Sequence, residues 1–149
     1  MRSAENTLVT VAQAGLLAGT LDIGWAVGSG MVAGRGADRT LQSVASGLLG
    51  ADAFGGGWAI AALGLALHFV IALGAAAVYR IAAGWLTPLR DRPWIAGPLF
   101  GALVYLVMHL VVVPLSAAPF RIPLGVAGLL VHLLLVGLPI ALVVQRRGR

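Results

Sequence analysis

The sequence contains no cysteine and no lysine, and only 10% of its 149 residues are charged. Without cysteine it can form no disulfide, bind no metal through a thiolate and use no thiol as a nucleophile. It also lacks a Walker phosphate-binding loop, a Gly-x-Ser-x-Gly nucleophile elbow and a His-Glu-x-x-His zinc motif. These absences disfavour an enzyme without deciding the question.

What the sequence has in abundance is apolar residues, which make up 60% of the chain at a mean hydropathy of +0.98. A soluble domain is about 45–50% apolar and about 25% charged. A chain of this length cannot bury so much apolar surface from water, so its outer surface is expected to face lipid. The sequence therefore predicts an integral membrane protein that forms one transmembrane domain over residues 1–149.

Four apolar stretches are each long enough to cross a bilayer, at about 8–33, 58–79, 94–115 and 124–144. Roughly 20 helical residues span a hydrocarbon core of about 30 Å. Helices are expected because they satisfy every backbone polar group within the segment. The predicted fold is all-α, a four-helix transmembrane bundle.

The connection between the first two spans has a helical pattern of its own. Its apolar residues recur at helical spacing: Leu41, Val44, Leu48 and Leu49. Residues 38–40 offer an N-cap, and the glycines at 55–57 end the run. This predicts a short amphipathic helix at about 39–50, lying on the outer membrane face or over the mouth of the bundle.

The arginines predict the orientation. Seven would lie on the side of the chain termini: Arg2, Arg80, Arg90, Arg92, Arg146, Arg147 and Arg149. Three would lie opposite: Arg35, Arg39 and Arg121. The positive-inside rule then predicts both termini in the cytoplasm. Because the arginines flank apolar runs, the sequence pI of about 11.4 indicates lipid contact, and no nucleic-acid partner is predicted.

Each span carries one strongly polar, titratable residue in its interior: Asp22, His68, His109 and His132. The predicted boundaries place all four within a slab of roughly 8 Å in the outer half of the membrane. Each shares a helix face with small residues, which mark close helix approach in membranes. We therefore expect this Asp/His cluster to point into the bundle.

Three interpretations of the cluster stay open. The first is structural, with hydrogen bonds between helices contributing about 0.6 kcal/mol each. The second is a proton or solute pathway, since histidine titrates near neutral pH. The third is a cofactor, either zinc held by Asp22 with the three histidines or haem held between His68 and His132. No two candidate ligands share one helix turn, so no cofactor is predicted.

Three Gly-x3-Gly pairs favour close helix packing: Gly15 with Gly19, Gly24 with Gly28, and Gly97 with Gly101. We expect them to pack mainly within the chain. The same motifs can join copies of a chain, so a homodimer or a larger membrane complex is a possible assembly.

Several fragments together resemble a known family. Gly15-Leu16-Leu17-Ala18-Gly19 opens the first span, and Tyr79 follows His68 by eleven residues in the second. His109-Leu-Val-Val-Val-Pro114-Leu115 closes the third span, and Val131-His132-Leu133 lies in the fourth. In this order, over roughly 15–144, they resemble the YagU-like bacterial inner-membrane proteins, a family named without a known function.

The resemblance implies a multi-pass protein of the bacterial inner (cytoplasmic) membrane, with His68, His109 and His132 at family-type positions. Asp22 departs from the family pattern, in which a small polar residue occupies this place. The connection at 35–57 is also shorter than in the family. The resemblance implies no reaction.

The leading functional hypothesis is proton-linked transport or homeostasis through an outward-facing pocket formed by Asp22, His68, His109 and His132. The first alternative is a non-enzymatic assembly or partner subunit of a larger membrane complex. The second is a haem- or metal-binding membrane protein, which could be an enzyme.

Overall fold

The computed structural model describes residues 2–147, with side chains from residue 5 onward. Its helices are α1 (Arg2–Val32), α2 (Ala37–Leu49), α3 (Gly57–Trp85), α4 (Thr87–Asp91), α5 (Pro93–Leu115) and α6 (Val126–Arg147). A 3₁₀ segment, Gly50–Gly55, connects α2 to α3. The chain is 88% helical and the described residues contain no strand, which confirms the all-α prediction. The side chain of Arg2 and the whole of Arg149, both used to predict orientation, lie outside the described residues.

Within the described part of the chain, four helices are long and apolar enough to cross a membrane: α1 from Glu5, α3, α5 and α6. Several of their ends differ from the sequence prediction by two or more residues. The second span continues past Tyr79 to Trp85. The fourth begins at Val126 and not at Leu124, because Gly125 is extended, with φ −137° and ψ 143°.

The backbones of the four long helices approach each other closely. α3 and α6 both pack against α1, α5 packs against α6, and α3 also contacts α6. At Gly15 a Cβ atom would lie 2.8 Å from the Cα of Leu73 on α3. At Gly97 it would lie 2.8 Å from the Cα of Leu138 on α6. Both helix contacts therefore need glycine, since any side chain would hold the backbones apart.

The three Gly-x3-Gly pairs have different environments. Gly15 and Gly19 face α3, and Gly101 approaches the backbone of α6 at His132, so these two pairs pack within the chain as expected. The third pair does not. A Cβ atom at Gly24 or Gly28 would meet nothing within 4 Å, so this face of α1 is open.

Helix α2 matches the predicted amphipathic helix, but its predicted cap is wrong. The helix begins at Ala37 after Gly36, which takes the N-cap position without a side-chain hydrogen bond. Asp38 lies inside the first turn, where the helix dipole favours a carboxylate.

The face of α2 that contacts the bundle is small and polar. It buries Gln42, Ala45 and Ser46, and Gln42 Nε2 donates a 2.9 Å hydrogen bond to the Gly57 carbonyl. Gly64 of α3 allows this approach, because a Cβ atom there would collide with the Leu41 carbonyl. Leu48 and Leu49 are exposed whereas Leu41 and Val44 are half-buried, so only part of the predicted apolar face is turned away from the bundle.

The hydrophobic core lies at the end of the bundle that carries the chain termini, which we call the closed end. Its buried residues are Ala14, Ala18, Ala76, Tyr79, Ala83, Ala96, Val136, Ile140, Ala141 and Val144. The Tyr79 hydroxyl donates a 2.7 Å hydrogen bond to the Leu89 carbonyl. Its ring packs edge-on against Phe100 at a centroid distance of 5.0 Å.

Candidate functional site

The opposite end of the bundle, which we call the open end, contains a cavity of about 1040 Å³. Its walls come from the second half of α1, the start of α2, the middle of α5, the first turns of α6 and the α5–α6 loop. Small-molecule sites typically have about 300–1,000 Å³. The cavity is therefore large enough for an organic ligand.

Tyr105 of α5 organises the cavity wall. Its hydroxyl donates to the Gly125 carbonyl at 3.0 Å and accepts from the Gly125 backbone N–H at 2.6 Å. These two bonds fix the start of α6. The ring can approach α6 because residue 128 is glycine, where a Cβ atom would lie 3.1 Å from the Tyr105 ring.

Two of the predicted histidines pack against Tyr105. The ring centroids of Tyr105 and His109 are 4.1 Å apart with a tilt of 43°, and His132 meets Tyr105 edge-on at 5.2 Å. Both histidines are partly buried and both line the cavity. The sequence predicted that they would meet inside the bundle, and Tyr105 is the residue between them.

The backbone determines which histidine nitrogen carries the proton. Nδ1 of His109 lies 2.9 Å from the Tyr105 carbonyl, and Nδ1 of His132 lies 2.9 Å from the Gly128 carbonyl. Because a carbonyl oxygen only accepts, each Nδ1 must donate, and in the neutral ring Nε2 then has a free lone pair. No described residue hydrogen-bonds to either Nε2. Each ring thus provides one available proton-accepting nitrogen.

Both histidines lie in π-helical segments, at Met108–Val112 of α5 and His132–Gly137 of α6. π-helical turns are rare and are frequent at functional sites. Each segment is followed two residues later by a proline, Pro114 or Pro139. Proline has no N–H to donate and clashes with the carbonyl four residues before it, which explains the widened turn.

Asp22 of α1 is the third predicted residue in the cavity wall. It is partly buried, and no described residue forms a hydrogen bond or an ion pair with its carboxylate. Three helices therefore each bring one ionisable side chain to the same cavity.

His68 is the predicted residue that lies elsewhere. Its Nε2 donates a 2.9 Å hydrogen bond to the Gly19 carbonyl, and its ring meets the edge of Phe69 at 5.6 Å. It does not line the cavity. The reason is that α3 contributes no residue to the cavity lining, so a similar depth along the helix does not bring His68 to Tyr105.

Sequence reasoning assigned Arg35, Arg39 and Arg121 only to orientation and lipid contact, yet all three line the cavity. The Nη1 of Arg39 donates a 3.2 Å hydrogen bond to the Phe54 carbonyl, and its guanidinium lies 5.7 Å from the Phe54 ring centroid. Their common side of the membrane was the available signal. For Tyr105, the signal was its position one helical turn before His109.

No group of three or more His, Cys, Asp or Glu side chains within the described ranges is placed to hold a metal ion. The zinc and haem hypotheses stay predictions.

Compared with protein-family models, with curated proteins and with solved structures, the chain matches none of them. The resemblance to the YagU-like proteins therefore stays a prediction.

Proposed function

We propose that this protein performs proton-linked transport or proton homeostasis through the open-end cavity. The observation that carries the proposal is the convergence of Asp22, His109 and His132, from three different helices, on one cavity. Intramembrane ionisable residues cost several kcal/mol on insertion unless they face a polar or water-filled space. The cavity supplies such a space, and histidine protonates within the physiological pH range.

The proposed setting is the bacterial inner membrane, with the four long helices as a transmembrane bundle and both termini in the cytoplasm. The arginine distribution and the YagU-like pattern support this placement. The cavity then opens towards the outside, and α2 lies in the outer interface with exposed Leu48 and Leu49 in contact with lipid. Within this setting the cavity receives protons and solute from the outer side.

The experiment compares histidine variants in proteoliposomes that contain a pH-sensitive dye. After an external acid step, in buffers that supply chloride, acetate or phosphate as the solute, the wild type should acidify the lumen faster than protein-free vesicles do. His109→Gln and His132→Gln remove the titratable ring, so acidification should fall severalfold.

His68→Gln is the matched control, because it removes a histidine of similar depth that lies outside the cavity. It should leave the rate unchanged. A wild-type rate equal to that of empty vesicles in every buffer contradicts the proposal. An equal loss in all three variants does so as well, because it indicates a general effect on the bundle.

The alternative function as a partner subunit is favoured by one specific observation, the open face at Gly24 and Gly28. If another protein helix covers this face, Gly28→Val should release it. The measurement is gentle detergent extraction followed by size determination. If the wild type forms a larger species than Gly28→Val does, the result supports a function as a partner subunit, either of a second copy or of a larger complex. The same size for both counts against it.

A further inference from the structure

We infer that the open-end cavity binds the anionic head of an amphiphile, a phosphate or carboxylate group attached to an apolar chain. The inference rests on the proposed function in so far as it names a ligand for the same cavity. It is carried by three observations: the arginines at the cavity, its apolar walls, and a neighbouring groove along α1.

The three arginines come from separate segments of the chain. Arg35 lies in the α1–α2 connection, Arg39 in the first turn of α2 and Arg121 in the α5–α6 loop. Asp22 is the one carboxylate in the same lining, and no described acceptor binds the guanidinium of Arg35 or Arg121. Arginine donates paired hydrogen bonds to phosphate and carboxylate groups. An excess of such donors without protein acceptors fits an anion.

The rest of the lining is largely apolar. Trp25, Phe54, Phe120 and Ile122 form apolar walls of the cavity. Trp25 is 52% exposed and Ile122 is 46% exposed, so these walls continue onto the surface that faces lipid. Apolar walls do not stabilise a small bound anion. They do stabilise a bound amphiphile, because its apolar chain is removed from water against them.

A groove of about 460 Å³ lies beside the cavity on the outside of α1. It is lined by Gly24, Trp25, Gly28, Ser29 and Val32, and it shares Trp25 and Ser29 with the cavity. Because Gly24 and Gly28 have no side chains and face nothing within 4 Å, the groove is open for its length. An acyl chain fits this shape, with its head at the arginines.

The experiment measures lipid adducts by native mass spectrometry of the protein in a neutral detergent. The probes are dioleoyl phosphatidic acid, dioleoyl phosphatidylcholine and inorganic phosphate. Phosphatidic acid should bind in preference to phosphatidylcholine. Arg35→Gln combined with Arg121→Gln should weaken it by about tenfold or more, since charge-assisted hydrogen bonds are lost.

Arg90→Gln combined with Arg92→Gln is the charge-matched control, at α4 and the start of α5 on the closed end. It lowers the net charge by the same two units and should leave binding unchanged. Equal losses in the two double variants overturn the inference, because they indicate non-specific attraction to a basic protein. Equal binding of the two phospholipids overturns it too.

Two further arms distinguish the source of the anion. Gly28→Val places a branched side chain in the groove and should weaken phosphatidic acid without affecting any binding of inorganic phosphate. If inorganic phosphate displaces the lipid at similar concentration, the site takes a free anion and the assignment of an amphiphile is wrong. A co-purified protein that Gly28→Val removes, with no effect on the lipid, also contradicts the assignment of the groove.

Two assays on the wild type separate this inference from the proposed function: lipid adducts by native mass spectrometry and proton movement in proteoliposomes. Lipid binding without proton movement in the wild type leaves the inference standing and removes the proposed function. Proton movement without arginine-dependent lipid binding leaves the proposed function standing and removes this inference.

Discussion

The two ends of this bundle each contain a buried tyrosine, but in different surroundings. Tyr79 at the closed end is fully buried, and its neighbours in the core are chiefly alanine, valine and isoleucine. Tyr105 at the open end is 3% exposed and packs against two histidines. Each hydroxyl binds backbone at a helix junction, at Leu89 or at Gly125. A tyrosine hydroxyl therefore holds the backbone in place at both ends. Only at the open end is the tyrosine surrounded by ionisable groups.

The difference follows from how closely the helices approach. At the closed end, Gly97 and Gly137 bring the backbones of α5 and α6 into direct contact, which leaves no space between them. Towards the open end, α1, α2, α5, α6 and the α5–α6 loop surround the cavity. The bundle is therefore closely packed at Gly97 and Gly137 and open at Tyr105, His109 and His132.

The largest expected effect comes from filling the α5–α6 contact. Gly137→Val places a branched side chain against the backbone of Gly97 and Gly101, and should lower the free energy of unfolding by about 3 kcal/mol or more. Gly28→Val is the matched control, since that position is open. The measurement is thermal unfolding in detergent. Equal melting temperatures for the two variants would contradict the packed arrangement of the closed end.

A smaller effect is expected from the two tyrosine hydroxyls. Tyr79→Phe removes one hydrogen bond to backbone and Tyr105→Phe removes two, so they should cost about 1 and about 2 kcal/mol of stability, respectively. Only Tyr105→Phe should also change proton movement in vesicles, because Tyr105 contacts the histidines. An equal change of transport in both variants would remove the functional distinction between the ends.

The smallest effect is expected at the edge of the closed end. Arg147 Nε donates a 3.1 Å hydrogen bond to Gln13 Oε1, and this contact is exposed. Arg147→Gln should change stability by less than about 0.5 kcal/mol. A larger loss of stability in the same unfolding assay would mean that surface contacts also contribute substantially to the stability of the closed end.

The sequence was sufficient to predict the helices. Apolar runs long enough to span a bilayer locate α1, α3, α5 and α6, and the periodic leucines locate α2. The helix ends were less predictable. Helix α3 continues to Trp85 because nothing in the sequence before Leu86 breaks it. Helix α6 begins later than predicted because the extended backbone of Gly125 is hydrogen-bonded to Tyr105.

The sequence was only partly sufficient for the site. It placed Asp22, His109 and His132 on inward faces at similar depth, and the three line one cavity. It could not separate His68, because depth along a helix does not say which neighbour that helix packs against. Nor did it assign Arg35, Arg39 and Arg121 to the cavity, since the two connecting segments and the start of α2 that carry them are positioned by tertiary contacts such as that of Arg39 with Phe54.

Thiol accessibility tests the contrast between the open and the closed end most directly. Because the chain has no cysteine, a single introduced cysteine is the only thiol in the protein. Ala26 lines the cavity, whereas Ala18, on the same helix, is completely buried in the core. A membrane-impermeant thiol reagent added outside intact cells should modify Ala26→Cys about tenfold or more faster than Ala18→Cys, since reactivity follows access to the thiolate. Equal rates, or faster modification of Ala18→Cys, would contradict an outward-open cavity above a closed core.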